Sequence, residues 1–410
     1  MTPEMKGFLL LAVIKLLVIF IVLLVGVALL TLMERKLAGW MQNRPGPNRV
    51  GPSGILQPVA DGLKNFIKEE TRPAGANRGL FILAPALSFI PAMMLIAVIP
   101  LAAPLQVDFE WNLPLIGLTA YHGLMPVSIA DLPMGFLFIL AFSSIGVYGI
   151  ALAGWSSNSK YSLLGGLRAS AQMISYEVAM GLSLIPVLLL TGNVTFSEVI
   201  AKQQAGVWFV GPLFISFFVF LISGFAETNR LPFDMPEAES ELVAGYHSEY
   251  SSMKFSMFMI GEYAHVVTIA AMVATLFFGG WDIPFTNWDE GGGVLQAIAT
   301  FLAFFVKMFF WIYFVMWIRW TLPRFRYDQL MTLGWKVLLP LALAYIMVTA
   351  GAIQGLEAAR VTGTRPVALA LTVLNVGLGW LLFYVLDRGR VMRGVSRRPP
   401  LAAPRTEGVG

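Results

Sequence analysis

The chain has 410 residues, of which 57% are hydrophobic and only 13% are charged, and its net charge is +4. The apolar residues come in runs of about twenty, which excludes a soluble globular protein and predicts an all-α, polytopic integral membrane protein. Cysteine is absent, so disulfides and cysteine-ligated iron–sulfur clusters within this chain are excluded.

The sequence contains no familiar cofactor motif. Its three histidines, His122, His247 and His265, are too scattered to suggest a haem pair or a zinc site, and no glycine-rich phosphate loop occurs. We therefore expect the chain to bind no metal, flavin or iron–sulfur cluster and no nucleic acid. The lipid bilayer is the one partner that composition alone predicts.

Nine apolar segments are predicted to be membrane-spanning helices, and the first is too long for a signal-peptide core. The predicted spans are 7–33, 79–101, 126–154, 163–191, 210–228, 254–279, 296–320, 335–356 and 366–386. Together with their loops they are expected to form a single domain, 1–386. Residues 387–410 form a basic tail that is expected to be disordered and to face lipid headgroups.

Lys and Arg are distributed unevenly between the two ends of these spans. One side carries 22 of the 28 basic residues, and the other side carries only four. Because cytoplasmic loops are enriched in Lys and Arg, the N-terminus is predicted to lie outside the cell and the C-terminus in the cytoplasm. Segments 102–125 and 280–295 contain tryptophans but no Lys or Arg, so they are expected to be extracytoplasmic loops.

The first cytoplasmic loop, 34–78, has a pattern of its own. Pro-Gly-Pro at 45–47 forbids a helix there, and a helical repeat of apolar residues follows. The apolar positions are Ile55, Leu56, Val59, Leu63, Phe66 and Ile67, with Asp61, Lys64 and Lys68 on the opposite face. This repeat predicts an amphipathic helix. Two interpretations remain open: a membrane-surface anchor, or a roof over an opening in the membrane domain that contacts a soluble partner.

Three carboxylates fall within predicted spans. Glu177 lies near the centre of the fourth span, Glu262 lies about 12 Å into the sixth, and Glu227 closes the fifth. A carboxylate at mid-membrane costs at least ~2.5 kcal/mol, so these side chains should face a polar or hydrated interior. They are either interhelical hydrogen-bond partners or members of a chain of titratable groups. The second interpretation requires further links, for which the candidates are Tyr176, Tyr263 and Lys307.

The stretch from Glu227 to Glu249 concentrates negative charge at a membrane border, with Arg230 as its only Lys or Arg. Its acidic residues are Glu227, Asp234, Glu237, Glu239, Glu241 and Glu249. Such a concentration predicts the handling of protons, cations or a charged partner.

Three long blocks of this sequence resemble one family. They read ERKLAGWMQNRPGPNRVGP at 34–52, GWSSNSKYSLLGGLRASAQMISYEVAMG at 154–181 and FAETNRLPFDMPEAESELVAGYHSEYSSMKF at 225–255. The family is the H-type subunit of the bacterial proton-translocating NADH:quinone oxidoreductase (respiratory complex I), equivalent to mitochondrial subunit 1. The resemblance covers roughly residues 7–356, and the tail 387–410 contains no motif of the family.

The resemblance implies a role and a set of site residues. Members of this family close a quinone chamber against soluble subunits that carry the terminal iron–sulfur cluster, adjoin small membrane subunits and admit quinone from the bacterial plasma membrane. Carried onto the matching blocks, the residues implied to border the quinone are Glu34, Arg35, Trp40, Arg44, Arg230 and Arg319. Those implied to transfer protons are Asp61, Glu177, Glu227, Glu237, Glu239, Glu241, Glu249, Glu262 and Tyr263, to which the pattern of carboxylates within the spans adds Lys307.

Under this interpretation the chain is a subunit of a redox-driven proton pump that contains no redox centre and is inactive alone. One alternative is the homologous membrane subunit of an energy-converting hydrogenase, which uses no quinone. The block around Trp40 and the nine-span length favour the quinone enzyme. A stand-alone ion transporter is the third interpretation, and it would predict an internal inverted repeat.

Overall fold

Most of the chain that the structure describes is helical. A computed structural model describes residues 2–113, 117–234, 245–284, 286, 288, 292–361 and 363–387, and the predicted basic tail lies outside them from 388 onward. The helices are α1 (Pro3–Met41), α2 (Gln57–Ile67), α3 (Arg78–Met94), α4 (Gly135–Ser156), α5 (Lys160–Thr191), α6 (Phe196–Ala205), α7 (Phe214–Glu227), α8 (Ser252–Phe277), α9 (Val294–Thr321), α10 (Tyr327–Ala358) and α11 (Thr364–Asp387). The polytopic, all-α fold class is confirmed.

The predicted spans correspond to eight long apolar helices and the shorter α7 among the described residues. Three boundaries differ from the predictions. The first helix continues to Met41, so Glu34 and Trp40 are helical and do not belong to a loop. In the third predicted span, the helix begins at Gly135, nine residues after the predicted start. In the fifth, only the 14 residues of α7 are helical. Length and hydropathy place a span, but the surrounding packing decides where its helix ends.

A β-hairpin occupies most of the segment that was expected to be a loop at 102–125. Its strands are β1 (Leu105–Leu113) and β2 (Gly117–Met125), paired antiparallel with Leu105 opposite Met125. Apolar and polar residues alternate along β1, and this period of two is the signal that identifies a half-buried strand. The hairpin packs against the start of α1, where Gly7 lies so close to the carbonyl oxygen of Ala120 that a Cβ would overlap it.

Helices α5 and α8 form the centre of the bundle. Helix α8 is the most deeply buried of the long helices, whereas α1 exposes most of its apolar side chains at the periphery, as expected of a lipid-facing helix. A cluster of large buried side chains, including Tyr176, Phe220 and Phe277, fills the space between α5, α7 and α8. This packing fixes the helices that contribute the polar residues described below.

Helix α10 contains an irregular turn where it meets α5. Residues Leu333–Leu338 form a π-helical segment between two α-helical parts. Two polar contacts join α5 to α10 here: the Tyr176 hydroxyl donates to the Leu330 carbonyl at 2.8 Å, and the Trp335 indole donates to Ser175 at 3.0 Å. Such π-bulges occur frequently beside functional sites, where they re-aim side chains.

The last span, α11, is fastened to the bundle by one buried amide. Asn375 Nδ2 donates to the Pro212 carbonyl, just before α7, at 2.6 Å. The Asn375 Oδ1 accepts from the Tyr345 hydroxyl of α10, also at 2.6 Å. Because lipid provides no hydrogen-bond partner for these groups, the amide serves two of the segments that pack against α11 at once.

We predict that Asn375→Ala lowers the free energy of unfolding by about 1–2 kcal/mol, since it leaves a carbonyl and a hydroxyl unsatisfied. Thermal unfolding of the purified protein in detergent measures the change. Thr372→Ala is the matched control, because the Thr372 hydroxyl donates to Ala368 of its own helix and not to a neighbouring one. Equal melting temperatures for the two variants would contradict this account of how α11 is held.

Candidate functional site

Glu34, near the end of α1, is the centre of a buried group of charges. Its Oε2 accepts a hydrogen bond of 2.6 Å from the hydroxyl of Tyr263 on α8, and its Oε1 is ion-paired with Arg319 of α9. The side chain of Arg230 lies 3.7 Å from Oε2. Only 7% of the Glu34 side chain is exposed, so its negative charge depends on these partners and not on water.

Arg230 connects Glu34 to a second carboxylate, Glu262, one residue before Tyr263 on α8. Its Nη2 lies 3.0 Å from Glu262 Oε2, and its guanidinium carbon lies 4.2 Å above the ring of Tyr263. The planar guanidinium can therefore bridge two carboxylates and stack on an aromatic face at the same time. These five side chains (Glu34, Arg230, Glu262, Tyr263 and Arg319) are called the charged cluster below.

A cavity of about 350 Å³ opens beside the charged cluster. Its further lining residues are Arg35, Ala38, Arg44, Pro47, Met259 and Trp320. Four guanidinium groups thus face the cavity against two carboxylates, while Ala38, Pro47, Met259 and Trp320 provide apolar wall. A cavity with many donors and partly apolar walls suits a ligand that combines hydrogen-bond acceptors with an apolar body.

The amphipathic helix lies next to this cavity, as α2. Its carboxylate Asp61 is 2.6 Å from Arg35 of α1 and accepts from Gln57 at 3.1 Å. Its apolar face, which includes Phe66 and Ile67, is exposed. The ion pair with Arg35 ties the polar face of α2 to the end of α1 that carries Glu34. A helix in this position could cover the opening of the cavity or anchor the chain at the membrane surface, so both interpretations stay open.

The turn after α7 runs through the protein interior and delivers Arg230 to the charged cluster. Asn229, Arg230 and Phe233 are all buried. Gln172 of α5 is fully buried, and its Nε2 contacts the carbonyl oxygens of Ala226 at 2.8 Å and Phe233 at 2.9 Å. A buried turn needs such partners for its carbonyls. Sequence reasoning missed Gln172, although an amide in an otherwise buried stretch of a spanning helix is a signal that could have found it.

Glu177 and Glu227 form a second acidic group, away from the cavity. Glu177 of α5 accepts a hydrogen bond from Ser144, and Glu227 at the end of α7 accepts one from Ser143. The two serines are consecutive on α4, so they bring Glu177 and Glu227 to neighbouring positions beside that helix. These two carboxylates are called the glutamate pair below. The serines were also missed, because hydroxyls within apolar spans are common and carry little signal on their own.

Other residues implied by the resemblance or by the span pattern lie elsewhere. Trp40 is exposed and does not line the cavity, and Glu249 is half-buried near Tyr250. Lys307 lies about 18 Å along α9 from Arg319. Its ammonium donates to the carbonyls of Phe278, Gly280 and Asp282 at 2.6–3.0 Å, at the far end of α8. Glu237, Glu239 and Glu241 lie outside the described residues.

Asp234 is the acidic residue that follows the buried turn. Its Oδ2 lies 3.2 Å from Nη2 of Arg324. Burial raises the pKa of Asp234, and this effect outweighs the opposing attraction of Arg324. Asp234 therefore takes up a proton at a higher pH than an exposed aspartate does.

Comparison with known proteins shows the family to which this chain belongs. The family model described as NADH dehydrogenase matches residues 14–350. An H-type subunit of NADH-quinone oxidoreductase from Koribacter versatilis, the one numbered 2, is 52% identical over 348 residues, which is 84% of this chain and 97% of the relative. The chain belongs to this family.

Two further relatives that are similar to this chain are also H-type subunits. The H-type subunit numbered 2 of the NADH-quinone oxidoreductase of Geobacter sulfurreducens is 49% identical over 82% of this chain and 94% of its own length. The H-type subunit of Leptospira biflexa is 48% identical over 82% of this chain and 92% of its own length. The resemblance to the H-type family is confirmed. Helix α11 lies wholly beyond the residues that the NADH dehydrogenase family model matches.

We predict that Glu34→Gln lowers the free energy of unfolding by about 3 kcal/mol, because it leaves the buried Arg230 and the partly buried Arg319 without their shared carboxylate. Thermal unfolding measures the loss. Glu4→Gln is the matched control, since Glu4 is exposed in the first turn of the same helix. If the two variants melt alike, Glu34 is not the centre of a buried ion network.

Proposed function

We propose that this chain is the membrane subunit of a proton-translocating NADH:quinone oxidoreductase that receives quinone and passes on the first protons of coupling. The observation that carries the proposal is the charged cluster, buried at a cavity of about 350 Å³ in a polytopic member of the H-type family. Quinone is its substrate, and the other subunits of the complex are its partners.

The cavity supplies what a quinone headgroup requires. Reduction of quinone to quinol takes up two electrons and two protons. The oxidised ring is uncharged and accepts hydrogen bonds at its two oxygens, for which Arg35, Arg44 and Arg319 are the available donors along the wall. Another subunit must deliver the electrons, because this chain has no cysteine to hold an iron–sulfur cluster.

The charged cluster responds to the charge that reduction creates. Electrons arriving on the ring make its oxygens negative, and the guanidinium groups facing the cavity then move toward them and away from the carboxylates. Glu34 and Glu262, which share Arg230, then lose part of its attraction. This redistribution of charge between the cavity and the two carboxylates is the proposed first step of coupling.

The glutamate pair is the proposed next station. Glu227 and Arg230 are three residues apart in the buried turn, so the turn connects the pair to the charged cluster. The acidic segment 234–249, with Glu237, Glu239, Glu241 and Glu249, is proposed to continue the link toward the soluble subunits. The names of the relatives and the cavity of about 350 Å³ favour a quinone-reducing complex over a hydrogenase-type complex or a stand-alone transporter.

We predict that Glu177→Gln in the assembled complex separates the two activities: quinone reduction per complex is retained, and proton translocation per quinone falls at least about tenfold. Gln preserves size and hydrogen bonding but carries no proton. Translocation is measured in vesicles with a pH-sensitive dye. Glu198→Gln, at an exposed position of α6, is the matched control. Normal translocation in the Glu177→Gln complex would remove the glutamate pair from the proposal.

The proposed orientation has its own test. With 22 basic residues on one side, the C-terminus is expected in the cytoplasm. A reporter fused after Arg398 should therefore be active only in a form that works in the cytoplasm. A fusion that is active only outside would invert the proposed topology, and with it the side on which quinone reduction occurs.

A further inference from the structure

Two consecutive serines of α4 each hold one member of the glutamate pair. Ser143 is almost fully buried and donates to Glu227, and Ser144 is partly buried and donates to Glu177. The two carboxylates come from different helices, α7 and α5. Adjacent positions on α4 therefore place one hydroxyl beside each carboxylate, between helices that the core packing holds together.

The two hydroxyls have different surroundings. Ser144 Oγ also lies 3.0 Å from the carbonyl oxygen of Leu140, so its single hydrogen has two acceptors. When Glu177 is ionised, the hydroxyl donates to the carboxylate. When Glu177 is protonated, the acid can donate to Ser144 Oγ while the serine hydrogen turns to Leu140. A hydroxyl has one donor and two acceptor lone pairs, so both arrangements are satisfied.

The carboxylate of Glu227 has fewer hydrogen-bond partners than the hydroxyl of Ser144. One of its oxygens accepts from Ser143, and the other, Oε2, is buried with no hydrogen-bond partner among the described residues. A buried carboxylate oxygen without a partner is costly, whereas a protonated oxygen can donate to an acceptor nearby. Glu177, which accepts from the next serine of α4, is the neighbouring acidic group, so a proton on Glu227 has a second carboxylate beside it.

We propose that Ser143 and Ser144 are positioning residues that make Glu177 and Glu227 a single proton-exchanging unit, with Ser144 switching its hydroxyl between Glu177 and Leu140 as the proton moves. The step transfers one proton from the carboxyl of Glu227 to the carboxylate of Glu177. Glu227 becomes ionised and Glu177 neutral, so the pair keeps one negative charge throughout. This inference rests on the proposed function.

The test uses the assembled complex and compares Ser144→Ala, Ser144→Thr and Ser143→Ala with the parent protein. We expect each alanine variant to reduce proton translocation per quinone by about tenfold, because a lost hydrogen bond to a charged group changes an equilibrium by about that factor or more. Ser144→Thr restores translocation, since it keeps the hydroxyl. Ser170→Ala is the control: Ser170 is buried, but its hydroxyl donates to Gly166 within its own helix, α5.

A second measurement separates positioning from a general loss of structure. Infrared difference spectra, recorded as quinone is reduced, follow the carbonyl stretch of a protonated carboxyl group. Ser144→Ala should shift this band and Ser170→Ala should not, with Glu177→Gln assigning the band by removing it. Alanine variants that translocate normally and keep the band in place would overturn the positioning role.

The two proposals fail in different ways. If Glu177→Gln translocates protons normally, the glutamate pair has no part in coupling and the proposed function fails there. If Glu177→Gln is impaired while both serine-to-alanine variants behave as the Ser170→Ala control does, only the inference about the serines is wrong. If Ser144→Thr is as impaired as Ser144→Ala, the hydroxyl is not the group that matters, and the inference is likewise wrong.

Discussion

The structure depends on the ion pairs and the hydrogen bond that hold the buried carboxylate of Glu34 inside the membrane domain. Glu34 is buried among apolar helices, where Tyr263, Arg230 and Arg319 are its hydrogen-bond and ion-pair partners. These partners come from α8, from the turn after α7 and from α9. One carboxylate near the end of α1 thus fixes the relative positions of three other segments. The same contacts make that end of the bundle responsive to any new charge in the adjacent cavity.

The charged cluster and the glutamate pair differ in chemistry. The cluster contains equal numbers of Glu and Arg residues, and it lies at a cavity large enough for a ring system. The pair accepts hydrogen bonds from two serine hydroxyls and lies among α4, α5 and α7, with Glu227 buried and Glu177 half-buried. The cavity is the proposed site of quinone reduction, and the carboxylates beside the serines are the proposed site of proton exchange. Two residues separate Glu227 from Arg230, and the proposed coupling passes through this short buried turn.

The sequence predicted much of this arrangement because its strongest signals are local. Apolar runs gave the nine spans, the helical repeat of Leu63 and Phe66 gave α2, and the three blocks of resemblance led to the family. Boundaries were less accurate. Hydropathy ended the first helix at 33, but packing against Arg319 and Tyr263 allows charged residues such as Glu34 to continue it. The hairpin was missed because a search for spans does not test for a period of two.

The partners of the site residues could not be read from spacing. Nothing in the sequence shows that Ser143 meets Glu227 or that Gln172 supports the turn, because these contacts join residues more than fifty positions apart. Lys307, by contrast, carries a signal in the sequence, but the sequence does not reveal the partners of its ammonium. A lysine within a span suggests proton transfer, but the fold places its ammonium among three carbonyls at the far end of α8, where it satisfies a helix terminus.

The most direct test of the account is to locate bound quinone. A photoreactive quinone analogue, activated in the assembled complex and followed by peptide mapping, should label the segments that carry Arg35–Arg44 and Arg319–Trp320, which line the cavity. Excess unlabelled quinone should abolish the labelling. Labelling confined to the lipid-facing surface of α1 or α11, or labelling of the cavity that quinone fails to displace, would contradict the assignment of this cavity as the quinone site.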